Sequence, residues 1–302
     1  MIVGAPSALP QNAPAVGAAA RRAAALAAAA SIELSPKDEF AGYRLRDLLR
    51  PGTRVYVNFP GSVTHHDIVA ACARLRRAGF VPVPHVAARR LASYTQAADF
   101  LRRMAGEAAV DAALLIGGDA DRPVGPFEDA HALLRTGLFE RHGHRQLGFA
   151  GYPQAHPRVA RRALDAALRA KLALAQERGL DVEIVTQFGF EPLPILSWIS
   201  GFRRAVSRCP VRVGVAGPAS VATLAKFAVR CGIGASLRGL ARDHAAFARI
   251  LSEAGPGGLI ESLAAGEDPA APIAGLHIFT FGGLRRTGEW LRGGAAGSTG
   301  LR

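Results

Sequence analysis

The sequence predicts one α/β domain, a (β/α)8 TIM barrel, on three observations. Eight short apolar runs are bounded by Gly, Pro or polar turns, helical periodicity fills the intervals, and the first strand-to-helix turn lacks the G-x-G-x-x-G of an open dinucleotide-binding sheet. Strands separated by helices must pair in parallel through crossovers, and eight such units close on themselves.

Residues 1–17 mix Ala, Pro and Gly without an apolar period and read as a loosely ordered tail. The Ala-rich stretch 18–30 has strong helix propensity and gives a leading helix. Strands are predicted at 31–34, 54–59, 81–86, 112–116, 146–150, 182–187, 211–216 and 275–281. Between them Ile68, Cys72 and Leu75 recur at i, i+4, i+7 before Gly79, and Val221, Leu224, Ala228 and Cys231 recur similarly before Gly232. The barrel is expected over 18–290 and a flexible tail over 291–302.

A 302-residue chain with 49% hydrophobic content can bury a full core as one domain. The net charge of +13 comes almost wholly from Arg, since Lys37, Lys171 and Lys226 are the only lysines. A basic surface attracts polyanions, a dinucleotide phosphate or a polyglutamylated cofactor among them. The Arg pairs are scattered and no run of five basic residues occurs, which argues against a nucleic-acid partner. Cys72, Cys209 and Cys231 form no C-x-x-C pair, and a reducing, cytoplasmic setting is expected. With no basic-then-apolar signal order and no long apolar run, no membrane span is expected.

Barrel active sites lie at the C-terminal ends of the strands, so polar residues there are the candidates. Glu33 falls inside an apolar strand, where an inward carboxylate needs a partner or a role. Asp119 follows Leu-Leu-Ile-Gly-Gly, Tyr152 and His156 follow the fifth strand, and Gln187 ends the sixth. Gly117 and Gly118 read as a loop or as a close approach of backbone to an extended cofactor. His65, His66 and Asp67 follow Thr64 at a helix start, where a Thr cap and a first-turn Asp are expected on helix grounds alone. His142 and His144 lack a second ligand pair, so no metal site is expected.

Several segments occur in a telling order: Ile32-Glu33-Leu34-Ser35-Pro36-Lys37, Pro84-His85-Val86, Leu115-Ile116-Gly117-Gly118-Asp119, Gly148 through Tyr152-Pro153-Gln154-Ala155-His156-Pro157, Ile184-Val185-Thr186-Gln187-Phe188 and Gly275-Leu276-His277-Ile278-Phe279-Thr280. Over about residues 31 to 290 the chain resembles the methylenetetrahydrofolate reductase family. Asn58 stands where that family has a flavin-contacting Thr, and Ile116 replaces an Arg. The resemblance implies FAD at the barrel mouth, NAD(P)H as electron donor and a tetrahydrofolate one-carbon substrate, and it leaves a homo-oligomer open. It implies Glu33 as catalytic acid, holding a proton near neutral pH, and Asp119 as a negative charge beside flavin and folate. It places Asn58, His85, Ile116, Gly117, Gly118, Asp119, Ala150, Tyr152, His156, Asp165 and Lys171 around the flavin, with Lys171 on its phosphate, and Gln187 and Phe190 on the folate. Alternatives are the same fold oxidising methyltetrahydrofolate or working without tightly held flavin, and a non-catalytic partner of folate or a corrinoid protein.

Overall fold

Alternate side chains of a strand point to opposite faces of a sheet, and when both faces are buried the strands read as continuous apolar runs. The computed structural model describes residues 13–38, 45–154, 156–206, 209–233 and 255–293. Its strands are β1 (Ser31–Leu34), β2 (Arg54–Val57), β3 (Val81–Ala87), β4 (Ala112–Ile116), β5 (Gln146–Gly151), β6 (Asp181–Thr186), β7 (Val211–Ala216) and β8 (Gly275–Phe279). They pair in parallel in sequence order, and β8 returns to β1, with Ser31 opposite His277, to close the barrel.

Ile32, Leu34, Val55, Val57, Phe149, Ile184, Val213 and Ile278 belong to the core between strands and helices. Tyr56, Val83, Ala112, Leu114 and Val185 form a separate, smaller cluster inside the barrel. The expected and observed strands agree closely, but β2 stops at Val57 and β8 at Phe279. Beyond β8 the chain turns at once, Gly283 N–H donating to the Thr280 carbonyl at 2.9 Å, so Phe281 lies outside the sheet.

The wall helices are α2 (Leu45–Leu48), α3 (His65–Arg77), α4 (Tyr94–Ala108), α5 (Ala130–Leu134), α6 (Leu138–Arg141), α7 (Arg161–Glu177) and α8 (Pro192–Ala205), followed after α9 (Val221–Arg230) by α10 (Gly257–Ala265) and α11 (Leu284–Arg292). Thr64 caps α3 through its side chain while Asp67 reaches back to the Thr64 N–H, the reciprocal box expected at that position. The leading helix α1 (Ala13–Ala28) starts earlier than expected, so the stretch from Ala13 belongs to the helix and not to a tail. It packs on α10 and β8, and Arg22 ties it there with two bonds to Glu267 at 2.7 and 2.8 Å and one to the Ile273 carbonyl at 2.7 Å. No helix among the described residues is long and apolar enough to cross a membrane.

Helix α9 (Val221–Arg230) departs from the wall pattern. Leu224, Ala228 and Ile233 cluster with Phe188 and Phe190 from the loop after β6, and Phe227 stacks on Phe281 at 4.0 Å. Arg230 at its end reaches Asp119 after β4, at 3.5 Å, and Gly232 abuts His156 and Pro157 after β5. The helix therefore crosses the C-terminal mouth instead of descending the outside, and α10 takes the wall position against α8 and α1.

Candidate active site

Glu33 points into the barrel from β1. Asn58 Nδ2 donates to its Oε1 at 3.1 Å, and the Nε2 atoms of His85 on β3 and His277 on β8 each stand 3.5 Å from its Oε2. Thr280 Oγ1 donates to the Glu33 carbonyl at 2.7 Å and ties the end of β8 to β1. Ser31 Oγ donates to the Leu276 carbonyl at 3.0 Å and lies 3.1 Å from His277 Nδ1. A hydroxyl has one hydrogen to give, so His277 is assigned the tautomer that donates from Nδ1 to Ser31. Its Nε2 then faces the carboxylate without a hydrogen, which makes the gap between them a place for a proton.

Burial pushes the Glu33 carboxyl up, but the positive charge His85 and His277 carry when a proton sits on the Nε2 facing Oε2, with the Asn58 amide, outweighs it and holds the group below the ordinary carboxylate range. This direction runs against the resting carboxylic acid expected from the sequence, because the imidazoles and the amide favour the charged form of Glu33. Burial holds His85 below the ordinary imidazole value, against the pull of Glu33.

Of the other predicted residues, those at the ends of β4, β5 and β6 lie toward the mouth, with partners the sequence did not reveal, whereas Asp165 and Lys171 on α7 do not. Asp119 is not a free charge, because Arg90 binds it at 2.5 Å and Arg230 stands 3.5 Å away. Burial raises its carboxyl, and Arg90 and Arg230 bring it below its usual value. Tyr152 stands edge-on to His156 at 5.1 Å. His156 Nδ1 accepts from the backbone N–H groups of Arg158 and Val159, at 3.2 and 3.1 Å, so this ring shapes its own loop. Ile116 and Ala150 are half-buried near the ends of β4 and β5. Asp165 pairs with Arg161 at 3.2 Å on the surface of α7. Gln187 Oε1 accepts from the Phe188 N–H at 3.0 Å, and the Gln187 side chain also bonds Cys231. Phe190 is buried beneath α9 beside Phe188. Cys231 lies at the end of α9; burial pushes its thiol up, Arg230 opposes this, and the charge of Glu33 adds to it. Arg90, Arg230 and Cys231 had no motif to mark them.

Lys171 is displaced from its expected role. It is buried between α7 and the barrel with its Nζ 5.1 Å from the Phe149 ring centroid, and it is not presented to a phosphate at the mouth. Burial lowers its ammonium to about 8 from 10.5, Asp129 opposing weakly. Between those values the unfolded chain binds more protons, so this residue makes stability rise with pH through that window, and its penalty is complete below about 8. Lys171→Met is expected to stabilise the protein at neutral pH by about 1–2 kcal/mol, the lost cation–π contact offsetting part of the gain, and to flatten that rise. Thermal midpoints measured from neutral pH to about pH 10 check this. Weaker flavin binding at unchanged stability would instead restore a phosphate-binding role.

His65, His66 and Asp99 bring one ligand atom each within 4.8 Å of one another. Gln96, Arg103 and Arg102 engage these side chains, and two guanidiniums beside the group oppose a cation.

A comparison of the sequence with known protein families finds no match. Among solved structures the chain is similar to the carboxyl transferase domain from Rhizobium etli pyruvate carboxylase with 3-bromopyruvate, at 8% identity and TM-score 0.45, covering 91% of this chain and 48% of that one. The same domain with 3-hydroxypyruvate gives 9% identity and TM-score 0.45, covering 94% and 50%. The chain spans about half the length of these structures. At such similarity they carry no argument about chemistry.

Proposed function

We propose that the chain is a flavin-dependent oxidoreductase of folate-bound one-carbon units, reducing 5,10-methylenetetrahydrofolate to 5-methyltetrahydrofolate with NAD(P)H. The observation that carries this reading is the inward Glu33, braced by Asn58, His85 and His277, in a mouth whose far side bears Asp119 and Gln187. These are positions the family resemblance implies.

The residues present suit a flavin in part. A Cβ at Gly117 would meet nothing within 4 Å, so the backbone after β4 is open beside the mouth. Asn58 Oδ1 is a buried acceptor without a hydrogen-bond partner among the described residues, and after β5 the half-exposed Arg158 guanidinium pairs with Asp121. Asn58, the Gly117-Gly118 turn, Tyr152 and Arg158 would hold the group; Lys171 would not. Bound flavin would supply the hydride carrier between nicotinamide and folate.

Opening the methylene bridge breaks one C–N bond. The departing nitrogen takes a proton, and the other nitrogen shares its lone pair to leave an iminium carbon ready for hydride. Glu33 with His85 and His277 is the group placed to handle that proton, held between carboxylate and imidazole. Gln187, its oxygen taken by Phe188 and its amide bonded to Cys231, would turn its remaining N–H to the folate.

The depressed Glu33 favours a second reading, the same chemistry run as oxidation of methyltetrahydrofolate. There the carbon gives up hydride, the free nitrogen closes the ring and its proton needs a base, which an ionised carboxylate is.

Purified protein is expected to show an oxidised-flavin spectrum that bleaches when NAD(P)H is added without oxygen. Colourless protein that binds no added FAD would overturn the cofactor assignment. Faster bleaching by methyltetrahydrofolate than by NAD(P)H would select the oxidative direction.

A further inference from the structure

A second polar group lies deeper in the barrel, below Glu33, and the reaction outlined above leaves it without a task. Tyr56 on β2 is fully buried, and its hydroxyl donates to Glu183 Oε1 on β6 at 2.6 Å. Glu183 Oε2 is held by Arg54 at 3.2 Å and by Arg212 on β7 at 3.4 Å. The Tyr56 ring stands edge-on to His277, with centroids 4.5 Å apart at 68°, and to His85, at 6.3 Å and 75°.

We infer that Tyr56 is a positioning residue for the Glu33 centre, its ring setting the planes of His85 and His277 while the Arg54–Glu183–Arg212 clamp fixes the ring through its hydroxyl. Packing alone asks for no hydroxyl here, and a buried phenol bonded to a doubly clamped carboxylate has one allowed depth and rotation. Imidazole rings turn easily about their last torsion unless something holds them. Ser31 holds His277 from one side, whereas among the described residues His85 Nε2 has no hydrogen-bond partner. Phe279 also stands edge-on to His277, with centroids 4.8 Å apart, so Tyr56 adds a further constraint to that ring and is the aromatic contact that His85 makes among the described residues. Glu183 and Arg54 also border a cavity of about 200 Å³ at the N-terminal end of the barrel, so loosening the clamp opens a route for water toward the histidines.

This role rests on Glu33 being the proton-handling group proposed above, but it is read from the imidazoles themselves, without substrate or flavin. The test is NMR of protein carrying labelled histidine, with His85 and His277 assigned through His85→Gln and His277→Gln. The groups facing these rings are Glu33, Asn58 and Ser31 from β1 and β2, with the Tyr56 clamp below. In Tyr56→Phe, which keeps the ring and removes its anchor, both imidazole signals should shift and broaden. The His85 midpoint should rise toward the ordinary imidazole value, by about half a pH unit or more, as water relieves its burial. Glu183→Gln, which keeps an acceptor for the phenol but removes the charge that Arg54 and Arg212 hold, should shift the same signals less. Imidazole signals and His85 midpoint unchanged in folded Tyr56→Phe would overturn the positioning role, even if the melting temperature falls. If Tyr56→Phe does not fold, unchanged signals in Glu183→Gln overturn it equally. Shifted imidazoles in a protein that turns over no folate would uphold the positioning and reject the folate reading.

Discussion

Glu33→Gln is expected to slow the folate half-reaction by about 10²- to 10⁴-fold, the range of general acid–base catalysis, while flavin reduction by NAD(P)H keeps its rate. Hydride transfer from nicotinamide needs no proton from this side chain, whereas bridge opening or closing does. The amide is nearly isosteric and can still accept from Asn58, so the fold should survive the change. The usual danger in removing a buried carboxylate is an orphaned cation, and here the flanking groups are imidazoles that can stay neutral. His85 loses the one charge that favours its protonation, so its titration should move further toward acid. Rapid mixing of each half-reaction decides the matter. Equal, modest losses in both would make Glu33 a shaping residue, and an unchanged folate step would remove it from the chemistry.

Gly282→Ala is expected to cost about 3 kcal/mol, with a fall in the thermal midpoint of roughly 5–10 °C. A Cβ there would lie 1.9 Å from the Pro218 carbonyl oxygen and 2.9 Å from Ala219 Cα, both backbone atoms that cannot rotate aside. The turns after β7 and β8 touch at this point, so relief requires moving the base of α9 or the end of β8. Neighbouring Gly283 has φ +95 with nothing within 4 Å of an added Cβ. Its ψ of 155 completes a backbone conformation open essentially only to Gly, so Gly283→Ala should cost that backbone strain alone, about 1–3 kcal/mol. Comparable small losses in the two variants, measured by calorimetry, would show that the turns can part.

Short continuous apolar runs and Gly stops located the eight strands closely, because strand patterning in a doubly covered sheet is a local property. Glu33 was legible for the same reason, as a carboxylate where the pattern asks for an apolar side chain. The placement of α9 was not. Val221, Leu224 and Ala228 make an apolar stripe that fits a barrel wall or a bed of aromatic rings equally well, and only the fold supplies Phe188, Phe190 and Phe281 as that bed. Lys171 was misplaced because motif spacing gives position along a helix without saying which face meets the barrel. The partners of Asp119 come from the end of β3 and from α9, and those of Tyr56 from β6, contacts that no local pattern encodes.

Because β8 pairs with β1, the centre straddles the seam where the chain's first and last strands meet. Ser31 and His277 are 246 residues apart, yet their side chains touch. No partly assembled barrel contains this centre: until the last strand docks, Glu33 lacks His277 and the Thr280 tether. Bringing such distant segments together costs entropy that grows only logarithmically with the intervening length, so a long chain can sustain the contact. The ionisation of one carboxylate thus reports whether the ring of strands is complete, and truncation before β8 removes the chemistry along with the closure.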